Sequence, residues 1–274
     1  MELTFWGVRG TCPIDRKDAT RIGGNTPCAS IETARGDWIV IDAGTGIYEL
    51  GRRLAAAGPR PKRLSIFFTH FHLDHVQGLP FFEPLRDPGT EIVFYSPAEP
   101  RDLRAHLGRL MGAPFFPVAF EATASKKEFR RIDGRTIRVG GAAVSACPLN
   151  HPQGSVAYKI EEGGAAVVFA TDTEPPAGGV DGWLAEFARE ADVLVCDATF
   201  TPREYAAGRQ GWGHGTWRDG AKLAAAARVR RLLLSHFSGW HTDRTVRAIE
   251  RRARAVFAAS DAARKGMRLS LPSA

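Results

Sequence analysis

Three histidines and an aspartate fall within six positions of this chain, in the run Thr69-His70-Phe71-His72-Leu73-Asp74-His75. Imidazole and carboxylate are ligands that zinc, iron and manganese accept, so a cluster this dense points to a metal site. On a strand, alternate side chains share a face, and His70 and His72 are therefore expected to reach a single ion. Asp74 and His75 follow where the chain has to turn before Gly78, which aims them at a second ion nearby. Six positions cannot complete two coordination shells. The candidates for the remainder are His151 in Asn150-His151-Pro152, Asp172 in Thr171-Asp172-Thr173 and His236 in Ser235-His236-Phe237. Each follows an apolar run, at the kind of strand end where loops gather to form sites in α/β proteins.

The elements that must position these groups are legible in outline. Apolar runs predict strands over 3–7, 30–33, 38–41, 64–68 and 91–95, and again over 144–148, 156–160, 166–170, 193–196 and 232–235. Ile47, Leu50 and Leu54 recur at helical spacing until Gly58-Pro59 stops them. Further helices are expected over 101–110, 181–190, 216–228 and 242–258. Strands interspersed with helices in both halves call for sheets covered by helices. Gly44-Thr45-Gly46 follows a strand, but Glu49 stands where a dinucleotide loop needs its third glycine, so a nucleotide-cofactor loop is not expected.

Composition narrows the class. A hydrophobic fraction of 44% over 274 residues supports a sizeable core. With 37 basic against 30 acidic residues the net charge is +7, which favours an anionic substrate weakly. Cys12, Cys28, Cys147 and Cys196 form no C-x-x-C pair, so neither a disulfide framework nor a cysteine-rich zinc site is expected. No run approaches the roughly 20 apolar residues that span a bilayer. The first residues, MELTFWGVRG, lack the basic and apolar regions of a signal peptide. A cytoplasmic location with no membrane partner is the expectation.

The H-x-H-x-D-H run at 70–75, followed in chain order by His151, Asp172 and His236, resembles the metallo-β-lactamase superfamily over nearly the whole chain. The resemblance implies an α/β (α+β) fold, a four-layer αββα sandwich forming one domain over 1–274. It implies two divalent metal ions, zinc first, with manganese or iron as alternatives. His70, His72 and His151 would hold one ion, Asp74, His75 and His236 the other, with Asp172 bridging. Asp42 would brace the site without binding metal. Oxygen-reducing relatives carry glutamate where this chain has His72, which disfavours redox chemistry.

Asp197-Ala198-Thr199-Phe200 and Gly213-His214-Gly215-Thr216 are similar to the tRNase Z and PhnP-like phosphodiesterase branch. There Asp197 would orient His214 toward a scissile phosphate, raising its pKa and fixing its tautomer. A hydroxide held between the ions would attack, with Asp74 helping to orient it. Segment 96–130 lacks the long basic, glycine-rich arm with which tRNase Z grips tRNA. Gly7-Val8-Arg9-Gly10 and Asn25-Thr26-Pro27-Cys28 resemble bacterial relatives grouped with cyclic-phosphate and cyclic-nucleotide phosphodiesterases. The expected substrate is thus a small cyclic or linear phosphodiester, and long nucleic acid is disfavoured. Phe115 and Phe116 could stack on a base, line a dimer contact or form a buried hairpin. A homodimer is compatible with the resemblance. The rivals are a lactonase or thioesterase of the same fold, which has no use for the Asp197–His214 pair, and a non-catalytic metal-binding interaction protein. His106 reads as a helix-face residue and His241 as plain surface.

Overall fold

The computed structural model describes residues 1–56, 61–177 and 179–271. Among these, two seven-stranded sheets carry the architecture. Across the first, the order is Arg268–Ser270, Glu2–Gly7, Cys28–Glu32, Trp38–Ile41, Arg63–Phe67, Glu91–Ser96 and Lys126–Arg131. Across the second it is Ser260–Ala262, Arg231–Ser235, Val193–Asp197, Ala165–Ala170, Ser155–Glu162, Ala142–Leu149 and Ile137–Val139.

Side-chain alternation sorts the first sheet's residues into layers. Ile39 and Ile41 join the core shared with the second sheet, whereas Val40 faces Ile47, Leu50 and Leu54 of the helix Gly46–Ala56. Phe67 and Tyr95 likewise divide from Ile66 and Phe94. A strand buried on both faces needs apolar residues in both parities, which is why these strands read as unbroken apolar runs. Leu103 and Leu107 of the helix Pro100–Leu110 complete that outer layer. Helices Gly182–Phe187, Trp217–Ala227 and Asp243–Arg254 cover the second sheet through residues such as Leu184, Leu223 and Ile249. The result is the expected αββα sandwich. No helix among the described residues is long and apolar enough to cross a membrane.

Strand direction decides where the loops collect. Trp38–Ile41 and Arg63–Phe67 pair in parallel, and so do Ala165–Ala170, Val193–Asp197 and Arg231–Ser235. Ala142–Leu149 shares their direction, because it and Ala165–Ala170 both run antiparallel to Ser155–Glu162. Parallel strands deliver their C-terminal ends to one edge of a sheet. A two-residue parallel bridge between Arg9–Gly10 and Phe237–Ser238 ties the N-terminal segment to the loop after Arg231–Ser235.

Several expectations are corrected. The strand before the histidine run ends at Phe67, so strand alternation does not aim His70 and His72. They lie in the loop beyond it, and His72 has extended backbone (φ −60°, ψ 148°) as it caps the short helix Leu73–Val76. Asp74 and His75 occupy that helix and not a loop. The helices expected over 181–190 and 242–258 stop earlier, at Phe187 and Arg254. Gly58-Pro59, the expected stop of the first helix, lies outside the described residues. Besides the two-residue bridge strands, four strands of the large sheets have no counterpart in the sequence pattern: Lys126–Arg131, Ile137–Val139, Ser260–Ala262 and Arg268–Ser270. All four are edge strands. Short or charged edges resist further pairing, and their apolar period is too weak to read.

Candidate metal centre

His70, His72, Asp74, His75, His151, Asp172 and His236 converge at one end of the sandwich. His70, His72 and His151 bring three ligand atoms within 4.8 Å of one another, and Asp74, His75 and His236 do the same. Asp172 lies between the two groups. Its carboxylate is 3.3 Å from Nε2 of both His75 and His236, and 3.9–4.0 Å from Nε2 of His70 and His151. The seven residues thus form two groups of three with Asp172 between them.

The backbone is unusual where these groups leave their strands. Asp42, Asp172 and His236 take left-handed conformations, with φ of 59°, 60° and 57°. Such conformations are uncommon outside glycine, though Asp and His tolerate them better than most residues. Their concentration at one site marks local strain maintained by the surrounding structure. Two glycines let main chain approach the rings. A Cβ on Gly10 would fall 2.4 Å from the His236 ring, and one on Gly213 2.3 Å from His151 Nδ1.

Hydrogen bonds behind the rings select the tautomers. Thr199 donates its hydroxyl proton to the His236 carbonyl (2.8 Å), so its Oγ1 accepts from His236 Nδ1 (2.9 Å). The Thr69 hydroxyl donates to Asp42 (2.9 Å) and accepts from His70 Nδ1 (3.0 Å). His151 Nδ1 donates to the Gly213 carbonyl (2.8 Å), and His72 Nε2 to Gln153 Oε1 (2.7 Å). Asp42 Oδ2 accepts from His75 Nδ1 at 2.8 Å. Each ring therefore turns its other nitrogen toward the centre, the arrangement by which outer partners orient metal-binding histidines.

A divalent cation fits this donor set. His72 Nδ1 and His151 Nε2 stand 3.1 Å apart, and the tautomers leave both without a proton. Two facing lone pairs make no hydrogen bond, and a cation shared between them removes the repulsion. His70 Nε2 and Asp172 Oδ2 are buried without a hydrogen-bond partner, a costly state for polar atoms in an interior. Burial and the neighbouring His75 lower the His70 pKa to about 2, so its ring is neutral and free to donate a lone pair. Burial would lower His75 too, but Asp172 and Asp42 overcome it and hold a proton there. The buried carboxylates call for positive charge, and a metal ion can take the place of that proton.

His214 stands beside the cluster. Its Nδ1 donates to Asp197 Oδ2 at 3.0 Å and lies 3.8 Å from Asp172 Oδ1. Asp197 also accepts from the backbone N–H groups of Asp172 and Thr199, at 3.1 and 2.8 Å. Burial opposes charge on His214, but Asp197 and then Asp172 and Asp74 outweigh it, and the pKa rises to about 9. Asp74 goes the other way: burial would raise it, and His236 and His75 hold it below the ordinary carboxylate range. Asp74 also accepts from the Thr11 N–H at 2.7 Å.

Other sequence candidates lie elsewhere. His106 packs on Phe71, with ring centroids 4.7 Å apart. His241 is not surface but buried, and its Nε2 meets Glu204 at 3.0 Å. Phe116 lines a depression with Pro80, Met111 and Val118, and Phe115 is solvent-exposed. Neither lines the cleft above the histidines. That cleft, about 780 Å³, is lined by His72, Asp74, Asp172, Thr199 and His214 together with Phe200, Trp212 and Trp240.

Glu174 had no signal in the sequence. Its carboxylate accepts from the Gly211 and Gly213 N–H groups, both at 2.8 Å, and from the Tyr205 hydroxyl at 2.5 Å. It thereby anchors the strap that carries both the Gly213 carbonyl behind His151 and His214 itself. Glu174→Ala is expected to weaken metal retention and lower turnover by about 10–100-fold, the usual effect of removing an outer partner. Chelator competition and steady-state kinetics check this. A variant that melts earlier but keeps full metal affinity and turnover would restrict Glu174 to a structural role.

The chain belongs to the metallo-β-lactamase superfamily: the "Beta-lactamase superfamily domain" matches residues 37–237. Membership implies divalent-metal chemistry at this cluster. A ribonuclease Z of Salinibacter ruber is 30% identical over 291 residues, covering 86% of each chain. Among solved structures, the metallo-β-lactamase fold protein YhfI of Bacillus subtilis superposes with TM-score 0.72 at 17% identity, over 98% of both chains. A diphosphatase of the PhnP family gives TM-score 0.72 at 19% identity, over 99% of this chain and 98% of the other. At these identities the structural likeness speaks for the fold. The ribonuclease Z likeness, at 30% identity over most of both chains, places the chain in the tRNase Z branch.

Proposed function

We propose that this protein is a metal-dependent phosphodiesterase that binds two divalent cations, zinc foremost, and hydrolyses a small cyclic or linear phosphodiester. The Asp197–His214 pair carries the reading. A carbonyl hydrolase needs an activated water and an electrophilic centre, whereas a phosphodiesterase also gains from an acid aimed at phosphate oxygens. When bound, divalent cations supply Lewis acidity and an activated water. His70, His72 and His151 would hold one, Asp74, His75 and His236 the other, and Asp172 would reach both.

Asp197 holds the proton of His214 on Nδ1, which leaves Nε2 to face the substrate. From there His214 neutralises charge on a phosphate oxygen or protonates the departing one. Cations in the cluster would draw its pKa down from about 9, toward the range in which an acid both holds and releases a proton near neutrality. The name ribonuclease Z, borne by a relative that spans most of the chain, supports phosphodiester chemistry. The preference for a small substrate is supported by segment 96–131, which folds onto the first sheet as the helix Pro100–Leu110 and the strand Lys126–Arg131 and forms no arm. The four cysteines are all free, which suits a reducing, cytoplasmic setting.

Hydrolysis of bis(p-nitrophenyl) phosphate, a lactone and a thioester by protein loaded with Zn²⁺ or Mn²⁺ tests the proposal. Phosphodiester turnover that vanishes in His72→Ala is expected. Turnover confined to the carbonyl substrates would leave a metallohydrolase of another substrate class. Light scattering on the same protein tests whether it is a homodimer.

A further inference from the structure

Three consecutive residues, Arg9, Gly10 and Thr11, each hold part of the ligand group formed by Asp74, His75 and His236, or the loop that follows it. The Arg9 side chain is fully buried. Its Nε donates to the Gly23 carbonyl at 2.8 Å, and its Nη1 to the carbonyls of Ser238 and His241 at 3.3 and 2.7 Å. Those last two carbonyls belong to the loop directly after His236. The bridge between Arg9–Gly10 and Phe237–Ser238 ties the same two stretches along their main chains. A buried charge is costly to place, so a guanidinium spent on fastening two loops together needs an explanation.

The next two residues supply it. Gly10 lies against the His236 ring, where a Cβ would fall 2.4 Å from ring atoms. Thr11 donates its N–H to Asp74 Oδ2 at 2.7 Å. Its φ is 71°, and the Cys12 N–H donates to the Gly10 carbonyl at 2.9 Å, which closes a three-residue turn. A γ-turn of this hand is rare and strained, the more so for a β-branched residue. The Thr11 side chain is exposed, so burial gives nothing in return for that strain, whereas the bond to Asp74 does. The other ligand group is braced from elsewhere. His70, His72 and His151 are oriented by Thr69, Gln153 and the Gly213 carbonyl.

We propose that Arg9, Gly10 and Thr11 form a clamp selective for one of two ion sites, that of Asp74, His75 and His236. Arg9 is its positioning residue, which governs how tightly that ion is held without touching it. The proposal rests on the two-ion reading of the centre and is independent of the substrate. Loosening segment 9–11 then frees one ion and leaves the other in place.

Arg9→Lys is the informative substitution. Lysine keeps the positive charge but lacks the rigid fork of donors that serves carbonyls in separate directions, so what it removes is geometry. Zinc titration of metal-free protein against a chromophoric chelator, with elemental analysis after gel filtration, should find two ions per wild-type chain. In Arg9→Lys one ion should bind about 10–100-fold more weakly, the usual effect of losing an outer partner, and the other as in wild type. Adding His236→Ala should leave the retained ion in place, whereas adding His72→Ala should strip it. Thr11→Pro, at an exposed position, removes the N–H that Asp74 accepts. It should weaken the same ion, and it serves as the test if Arg9→Lys does not fold. Both ions held at wild-type affinity in every variant that folds would overturn the clamp. Equal weakening of both ions, alongside a lower melting temperature, would overturn its selectivity and make segment 9–11 a general support of the fold. A wild-type chain that binds one ion at saturating zinc would instead remove the two-ion reading beneath it.

Discussion

Asp172→Asn is expected to abolish turnover, by about 10³-fold or more, and to strip the protein of most of its bound metal. Asp172 is the residue whose carboxylate lies within 4.0 Å of His70, His75, His151 and His236 alike. Its Oδ2 is buried and without a hydrogen-bond partner. Burial would raise its pKa, but His236 and His75 hold it well below the ordinary carboxylate value, so the group is an anion. Clamping attacked and leaving oxygens with cations contributes several kcal/mol, and each 1.36 kcal/mol is a factor of ten in rate. Asparagine is the informative replacement. It keeps the shape and tolerates the left-handed backbone at this position (φ 60°), so what it removes is charge. Elemental analysis after gel filtration, with circular dichroism on the same sample, is the measurement. Full metal content in a folded Asp172→Asn protein would show that the histidines suffice and that Asp172 does not join the two ligand groups.

His214→Ala should lower kcat by about 10²–10⁴-fold on an alkyl phosphodiester, the range that general acid–base catalysis contributes, with metal content unchanged. The loss should be smaller on bis(p-nitrophenyl) phosphate, because p-nitrophenolate departs without a proton. This dependence on leaving group separates a proton donor from a group that only orients substrate. Metal content matters because His214 Nδ1 lies 3.8 Å from Asp172 Oδ1, and His214 with His151 and Asp172 forms a further group able to hold an ion. The 3.0 Å bond to Asp197 commits that nitrogen elsewhere. A variant that loses bound metal along with activity would make His214 a ligand. Asp197→Ala should be more damaging to structure than His214→Ala, because Asp197 also accepts from the Asp172 and Thr199 N–H groups.

The inner groups of the centre were legible because their residue types are scarce and chemically distinct. Histidines and aspartates closing apolar runs stand out in a linear chain, and all seven proposed ligands and the Asp197–His214 pair meet in space. The groups that hold them did not stand out. Thr69, Thr199, Gln153 and Gly213 are ordinary residues whose role exists only once a histidine ring is placed against them. Glu174 is 37 and 39 residues from the glycines it binds, a separation at which no periodicity operates. His241 reads as surface in a polar segment, yet the fold seats it against Glu204.

The sequence by itself determined the alternation of strands and helices and which side chains could ligate a metal. Burial on both faces writes apolar residues into both parities of a strand, and metal chemistry restricts the choice of ligand. The tertiary structure decided everything that depends on direction. The His70–His72 pair is aimed by an extended loop beyond the strand, most of the tautomers are selected by groups from distant segments, and the main chain around Trp212 and Trp240 is tied down by Glu174 and Arg9. Direction is set by contacts between elements far apart in the chain, and a linear pattern carries no record of them.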